Sequence, residues 1–156
     1  TGPDGVRTVP IHDFYISAGK VDLKHGELLT SILIKKESYE NYYGHYIKYA
    51  MRNAMDIATT GCSANVKLSD DKKTIVSARI AYSVAAPVPI RAKSAEKFLN
   101  GKEATAENIA AFAKKALDDV NPRTSWRASK ELRLQLIEEL SKRAMTEAVR
   151  LAGGEI

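Results

Sequence analysis

The sequence predicts an α+β domain: an antiparallel sheet of three or four strands packed on three C-terminal helices. The period of the apolar residues carries this reading. It is two through residues 57–84 and close to 3.6 from residue 91 onward. The change falls at Pro87 and Pro89, which cannot continue a strand ladder. Strands first and helices second imply a sheet layered on helices, not alternating βα units.

The first 26 residues read as irregular, with turn signals at Gly2-Pro3-Asp4-Gly5 and Ala18-Gly19-Lys20. Val6–Pro10 is expected as a short edge strand and His12-Asp13-Phe14 as a tight turn. Residues 28–36 hold Leu28, Leu29, Ile32, Leu33 and Ile34 and predict the first strand of the sheet. Residues 42–49 are rich in tyrosine and predict the second. In residues 57–68, Ala58, Thr60, Cys62, Ala64, Val66 and Leu68 share one face. In residues 74–84 the matching set is Val76, Ala78, Ile80, Tyr82 and Val84. Ser69-Asp70-Asp71-Lys72 joins these two strands as a hairpin. One apolar and one polar face per strand means a sheet covered on one side.

The helices follow at residues 91–100, 105–119 and 128–152. Ala92, Ala95 and Leu99 point inward from the first, and Gly101 stops it. Thr105 caps the second, whose stripe is Ile109, Phe112, Ala113, Ala116, Leu117 and Val120. Asn121-Pro122 breaks it. The third carries Leu132, Leu136, Leu140, Ala144 and Ala148 and ends at Gly153-Gly154.

A chain of 156 residues is the size of one domain, expected over residues 1–156. At 44% hydrophobic and 28% charged residues it is neither disordered nor collagenous. No apolar run approaches the 18–20 residues, roughly, of a membrane span. The single cysteine, Cys62, excludes an internal disulfide and a four-cysteine iron–sulfur or zinc site. The net charge of +5 is mild, and the lysine pairs are scattered, which favours a solvated surface over a nucleic-acid footprint. The chain opens at Thr1 with a polar stretch unlike a secretory signal, and reads as an internal start, a piece of something longer.

Most constellations that would carry chemistry fail. There is no G-x-G-x-x-G and no G-x-x-x-x-G-K-[ST], so no glycine-rich phosphate cradle. His25-Gly26-Glu27 lacks the cysteine pair of a zinc deaminase and reads as a turn. Cys62 lies on an apolar strand face, where a thiol is structural rather than nucleophilic. Tyr39, Tyr42, Tyr43, Tyr46 and Tyr49 suggest a stacking platform for RNA, but Tyr43 and Tyr46 are three apart, and a strand puts them on opposite faces.

Four segments remain. They are Gly5-Val-Arg-Thr-Val-Pro10-Ile-His-Asp-Phe14; Lys48-Tyr-Ala-Met-Arg52-Asn-Ala-Met-Asp56-Ile57-Ala58; Ala85-Ala-Pro-Val-Pro-Ile-Arg91-Ala92 with Glu96 and Gly101 beyond it; and Pro122-Arg-Thr-Ser-Trp126-Arg-Ala-Ser-Lys-Glu-Leu-Arg133. In this order they resemble the C-terminal domain of the FAD-binding subunit of molybdenum hydroxylases, the bacterial xanthine dehydrogenase branch above all. The resemblance spans nearly the whole chain. It implies an antiparallel sheet on three helices, preceded by an N-terminal FAD domain that carries the phosphate-binding loops missing here.

The resemblance also implies a role. In such enzymes a molybdenum cofactor hydroxylates the purine on one subunit. Electrons pass through two [2Fe–2S] clusters to FAD, which reduces NAD. The implied assembly is cytoplasmic and made of three kinds of subunit, one with the molybdenum, one with the iron–sulfur clusters and one with the flavin. The segment after the Lys48 strand would lie beside the flavin ring. Lys48 is expected to face the isoalloxazine, where a cation in a partly dry cleft would stabilise reduced, anionic flavin near N1. Arg52 and Asp56 are expected to shape the turn and the nicotinamide side; on the residues alone they are a connection with a surface ion pair. A relative acting on another heteroaromatic compound, an aldehyde or carbon monoxide would look the same here. A basic protein-interaction module without redox role is the alternative of another class. Trp126-Arg127 is expected to close the core at the start of the last helix, near a cap at Ser129, with a subunit-interface anchor as the other reading. Leu132 stands where many relatives have an aromatic residue, and belongs to the apolar stripe. An isolated chain of this kind would expose the face that meets the FAD domain and self-associate through it.

Overall fold

A computed structural model describes all residues, Thr1–Ile156. Its sheet has four strands, all antiparallel and paired in chain order. They are β3 (Tyr43–Tyr49), β4 (Thr60–Leu68), β5 (Ile75–Ser83) and β6 (Ile90–Arg91). A short helical turn, α1 (Ile11–Phe14), and a small hairpin, β1 (Tyr15–Ser17) with β2 (Lys20–Val21), precede them. The helices α2 (Lys93–Leu99), α3 (Ala106–Lys115) and α4 (Lys130–Leu151) follow, with a 3₁₀ turn over Ala116–Asp119. None is long and apolar enough to cross a membrane.

The alternation in β4 becomes burial: Thr60, Cys62, Ala64, Val66 and Leu68 all face the helices. In β5 the pattern breaks once. Lys67 pairs with Ser77, but Leu68 pairs with Ile75, so a bulge lies between them. Ile75 therefore turns inward, and Val76, expected inside, is 50% exposed. The turn Ser69–Lys72 forms as expected. Asp71 accepts from Ser69 Oγ and Lys73 N, which holds its carboxyl below the usual range.

The 23-residue core is alanine-rich, which lets helices and sheet approach closely. Ala95 and Leu99 of α2, Ile109 and Phe112 of α3, and Ile137 of α4 are fully buried or nearly so. Thr105 caps α3 by accepting from Asn108 N, and Ser129 caps α4 by accepting from Leu132 N. At the far end Gly154 N donates to Val149 O and Gly153 N to Arg150 O. This is a Schellman closure, and Gly153 supplies its positive φ of +87°. Glu96, buried in α2, accepts from Ile80 N and takes both ends of the Arg91 fork, tying α2 to β5 and β6.

Several expectations are corrected. Residues 28–36 form no strand. Leu28, Leu29, Ile32, Leu33 and Ile34 are all exposed, and residues 29–34 make no backbone hydrogen bond. An apolar run reads equally as a strand or as a segment covered by something else. Here the helices already cover the sheet, and β6 rather than this run supplies the fourth strand. Val6–Pro10 is likewise not a strand. Arg7 instead ties the segment together, donating to Asp22 and to both Glu27 carboxylate oxygens. The α4 stripe is rotated at its start. Arg133 and Ile137 are buried, whereas Leu132 is exposed and Leu136 half-buried. Trp126 does not close the core and is 77% exposed.

Candidate functional site

The registers fix which side chains share a face. Ile47 lies opposite Cys62 and His45 opposite Ala64, so these face the helices. Tyr46 opposite Ser63 and Lys48 opposite Gly61 face the open side. Gly61 leaves room there for two side-chain ends. A Cβ at this position would sit 2.9 Å from the Tyr46 hydroxyl and 2.6 Å from Ser83 Oγ.

At the end of β3 the chain leaves the sheet and returns to β4 through residues 50–59. Asp56 organises this connection. Its Oδ2 accepts from Met51 N at 2.9 Å and from Arg52 N at 3.0 Å. Lys48 Nζ donates to the Asp56 carbonyl at 2.5 Å, and Arg52 Nη2 donates to the Met55 carbonyl at 2.7 Å. Lys48, Arg52 and Asp56, picked out in the sequence, thus come together in one exposed turn. Arg52 and Asp56 do not pair as ions: the aspartate spends its oxygen on backbone amides. Met55, at φ 51°, is 94% exposed at the tip.

The base of the turn is fixed to the body. Thr59 N donates to Tyr49 O, and Thr60 Oγ1 donates to Ser83 O. Arg133 of α4, 1% exposed, donates from Nε to Thr59 O at 3.2 Å. It also reaches the Arg123 carbonyl and, at 2.7 Å, Ser125 Oγ. Its guanidinium meets no carboxylate, and burial with Arg123 and Arg127 nearby lowers its pKa. Sequence reasoning named Arg133 only as the end of a segment and missed its role, because an arginine inside an apolar stripe looks like a gap in it.

Chemically, the turn offers a lysine and an arginine on a fixed scaffold and no nucleophile. Cys62 is buried, and burial pushes its thiol up to about 12. No group of three histidines, cysteines and carboxylates could hold a metal. Two surface depressions lie elsewhere, one of about 220 Å³ among residues 2–27 and one of about 150 Å³ on the open sheet face by Arg79 and Arg91. The turn lines neither of these depressions.

The arrangement is a one-sided sheet on helices with an exposed cationic turn and no glycine-rich phosphate loop. Residues 45–148 match the CO dehydrogenase flavoprotein C-terminal domain, and the chain belongs to that family. It is 43% identical over 154 residues to the xanthine dehydrogenase FAD-binding subunit of Escherichia coli O157:H7, covering 99% of this chain and 52% of the relative. It is 27% identical over 147 residues to the carbon monoxide dehydrogenase medium chain of Hydrogenophaga pseudoflava, covering 94% of this chain and 50% of that one. Quinoline 2-oxidoreductase from Pseudomonas putida 86 superimposes with a TM-score of 0.82 at 27% identity, over 96% of this chain and 50% of that structure's chain. The chain spans about half the length of these relatives.

Proposed function

We propose that this chain is the C-terminal part of the flavoprotein subunit of a xanthine dehydrogenase-like molybdenum hydroxylase, where the turn of residues 50–56 closes over the FAD isoalloxazine. The observation that carries this is the turn itself, a lysine and an arginine held at the exposed end of a rigid sheet by the Asp56 cap. The residues present fit the edge of a flavin ring but not its pyrophosphate, for which the chain has no glycine-rich loop. FAD held against this turn would supply electron transfer between the iron–sulfur clusters and NAD. Lys48 uses one of its three protons on Asp56 O and keeps the others for an electronegative ring edge. Arg52 flanks it on the nicotinamide side. The preceding FAD domain packs against this end and against the exposed run Leu28–Ile34. The molybdenum and iron–sulfur subunits complete a cytoplasmic assembly. The 43% identity to a xanthine dehydrogenase subunit, against 27% to the carbon monoxide and quinoline enzymes, favours the purine branch.

The test is an FAD fluorescence-quenching titration of this chain, alone and mixed with the flavin-domain half of the subunit. No binding alone and saturable binding in the mixture is the expected result. No binding in either case overturns the reading. In the reconstituted enzyme, Lys48→Met should slow NAD reduction and spare reduction of the molybdenum centre by substrate. An unchanged flavin potential with unchanged NAD turnover would remove Lys48 from the site.

A further inference from the structure

We propose that the turn Ser125–Ala128 is a preformed docking knob for an acidic surface on a neighbouring subunit, with Trp126 as its anchor and Arg123 and Arg127 as its charges. The proposal rests on the reading of this chain as part of a multi-subunit assembly. An indole 77% exposed is costly to leave in water, and here it is held out deliberately. Ser125 N donates to Ala128 O at 2.9 Å and Ala128 N to Ser125 O at 3.2 Å, so Trp126 and Arg127 are the central residues of a tight, closed turn. Lys130 N donates to Thr124 Oγ1 at 3.0 Å on the following side. Beneath, the buried Arg133 holds Ser125 Oγ and the Arg123 carbonyl. The Arg127 guanidinium lies 4.1 Å from the indole centroid and fixes the ring from one side.

The charge is as one-sided as the shape. Arg7, Arg91, Arg143 and Arg150 each meet a carboxylate, whereas Arg52, Arg79, Arg123, Arg127 and Arg133 meet none, and the last three are clustered within residues 123–133. Arg127 Nε is covered and has no hydrogen-bond partner at all. A rigid tryptophan among unpaired arginines is the composition of an interface anchor, and its rigidity lowers the entropy lost on binding. The turn projects outward, so it suits insertion into a pocket on another protein rather than enclosure of a small anion. Acidic residues around that pocket would complete the arginines. Arg133 also holds Thr59, so the knob sits at the sheet end that carries the 50–56 turn, and docking there would brace the flavin-facing wall.

The experiment uses the full-length flavoprotein subunit, with Trp126→Ala or Arg127→Glu, and its purified partner subunits. Each variant should weaken subunit association at least about tenfold. The Arg127→Glu effect should shrink at high salt, while FAD content and melting temperature stay unchanged. Unchanged association in both variants overturns the proposal. So does weakened NAD binding with intact association, which would make the cluster a site for a small anion, or a change confined to self-association. FAD retention and the Lys48→Met kinetics report on the flavin reading separately, so either idea can fail while the other stands.

Discussion

Arg133 Nε, in the first turn of α4, donates to the Thr59 carbonyl at 3.2 Å. One guanidinium thereby joins the last helix, the loop before it and the returning end of the candidate turn. Its partners are all neutral, so burial costs it solvation without a counter-charge. Arg133→Met removes the fork and takes a donor from the carbonyl of the buried Thr59 and from the part-buried Arg123 carbonyl. That should cost about 2 kcal/mol net, a fall in melting temperature of roughly 4–8 °C for a chain of this size. Arg133→Lys should not restore it, because an ammonium lacks the planar fork that reaches three separate acceptors. Thermal unfolding by circular dichroism decides. An unchanged midpoint in Arg133→Met would mean that desolvation cancels the hydrogen bonds.

Asp56 caps its own turn through Met51 N and Arg52 N. The turn is exposed, so its order is local rather than a share of the global stability. Asp56→Ala should therefore leave the melting temperature within about 2 °C. Amide exchange at Met51 and Arg52 should speed up by about fivefold or more, the loss of one capping interaction near 1 kcal/mol. Asp56→Asn keeps one acceptor oxygen and should fall between. Equal exchange in wild type and Asp56→Ala would show that the turn holds its shape without the carboxylate.

How far the sequence could be read follows from what each residue type signals. The β4 alternation was legible because burial on one face demands it, and the helix caps at Thr105 and Ser129 were legible because their side chains have one common use. The bulge at Leu68–Ile75 was not: a single added residue leaves the pattern intact on both sides and only flips Val76. Leu28–Ile34 misled because an apolar run says that something covers it, not what. Trp126 misled for the same reason. Lys48, Arg52 and Asp56 stood out through the family resemblance. The Asp56 cap could have been found from an aspartate four and five residues after two amides it can reach, but the inward arginine could not.

The N-terminal segment should be acid-sensitive. Hydrogen bonds from Arg7 and from Lys24 N hold Glu27 down at about 2, against an ordinary 4.5. A carboxyl depressed in the folded state stabilises above its unfolded value and loses that contribution as pH falls toward the folded one. The order of residues 1–28 should thus be complete above about pH 5 and decline between roughly 4.5 and 2. The Leu28 amide, which donates to Thr1 O, is the reporter. Its exchange protection, corrected for intrinsic rate, should fall across that window in wild type and be low throughout in Arg7→Ala. A pH-independent Leu28 would detach the segment's order from this ion pair.

Cys62 should be inert until the domain opens. It is fully buried opposite Ile47, and burial pushes its thiol from 9.0 up to about 12. Ser141, whose hydroxyl also bonds Tyr82 and the Ile137 carbonyl, offsets this only in part. At pH 8 a disulfide reagent should label native protein only at the rate of opening, and label it completely in denaturant. A thiol raised on folding favours the folded state below its unfolded value and withdraws that support as pH rises toward the folded one. Labelling should therefore accelerate more steeply between about pH 9 and 11 than a free thiol would, because opening grows more frequent. Stoichiometric labelling within seconds at pH 8 would mean that β4 is not covered as described.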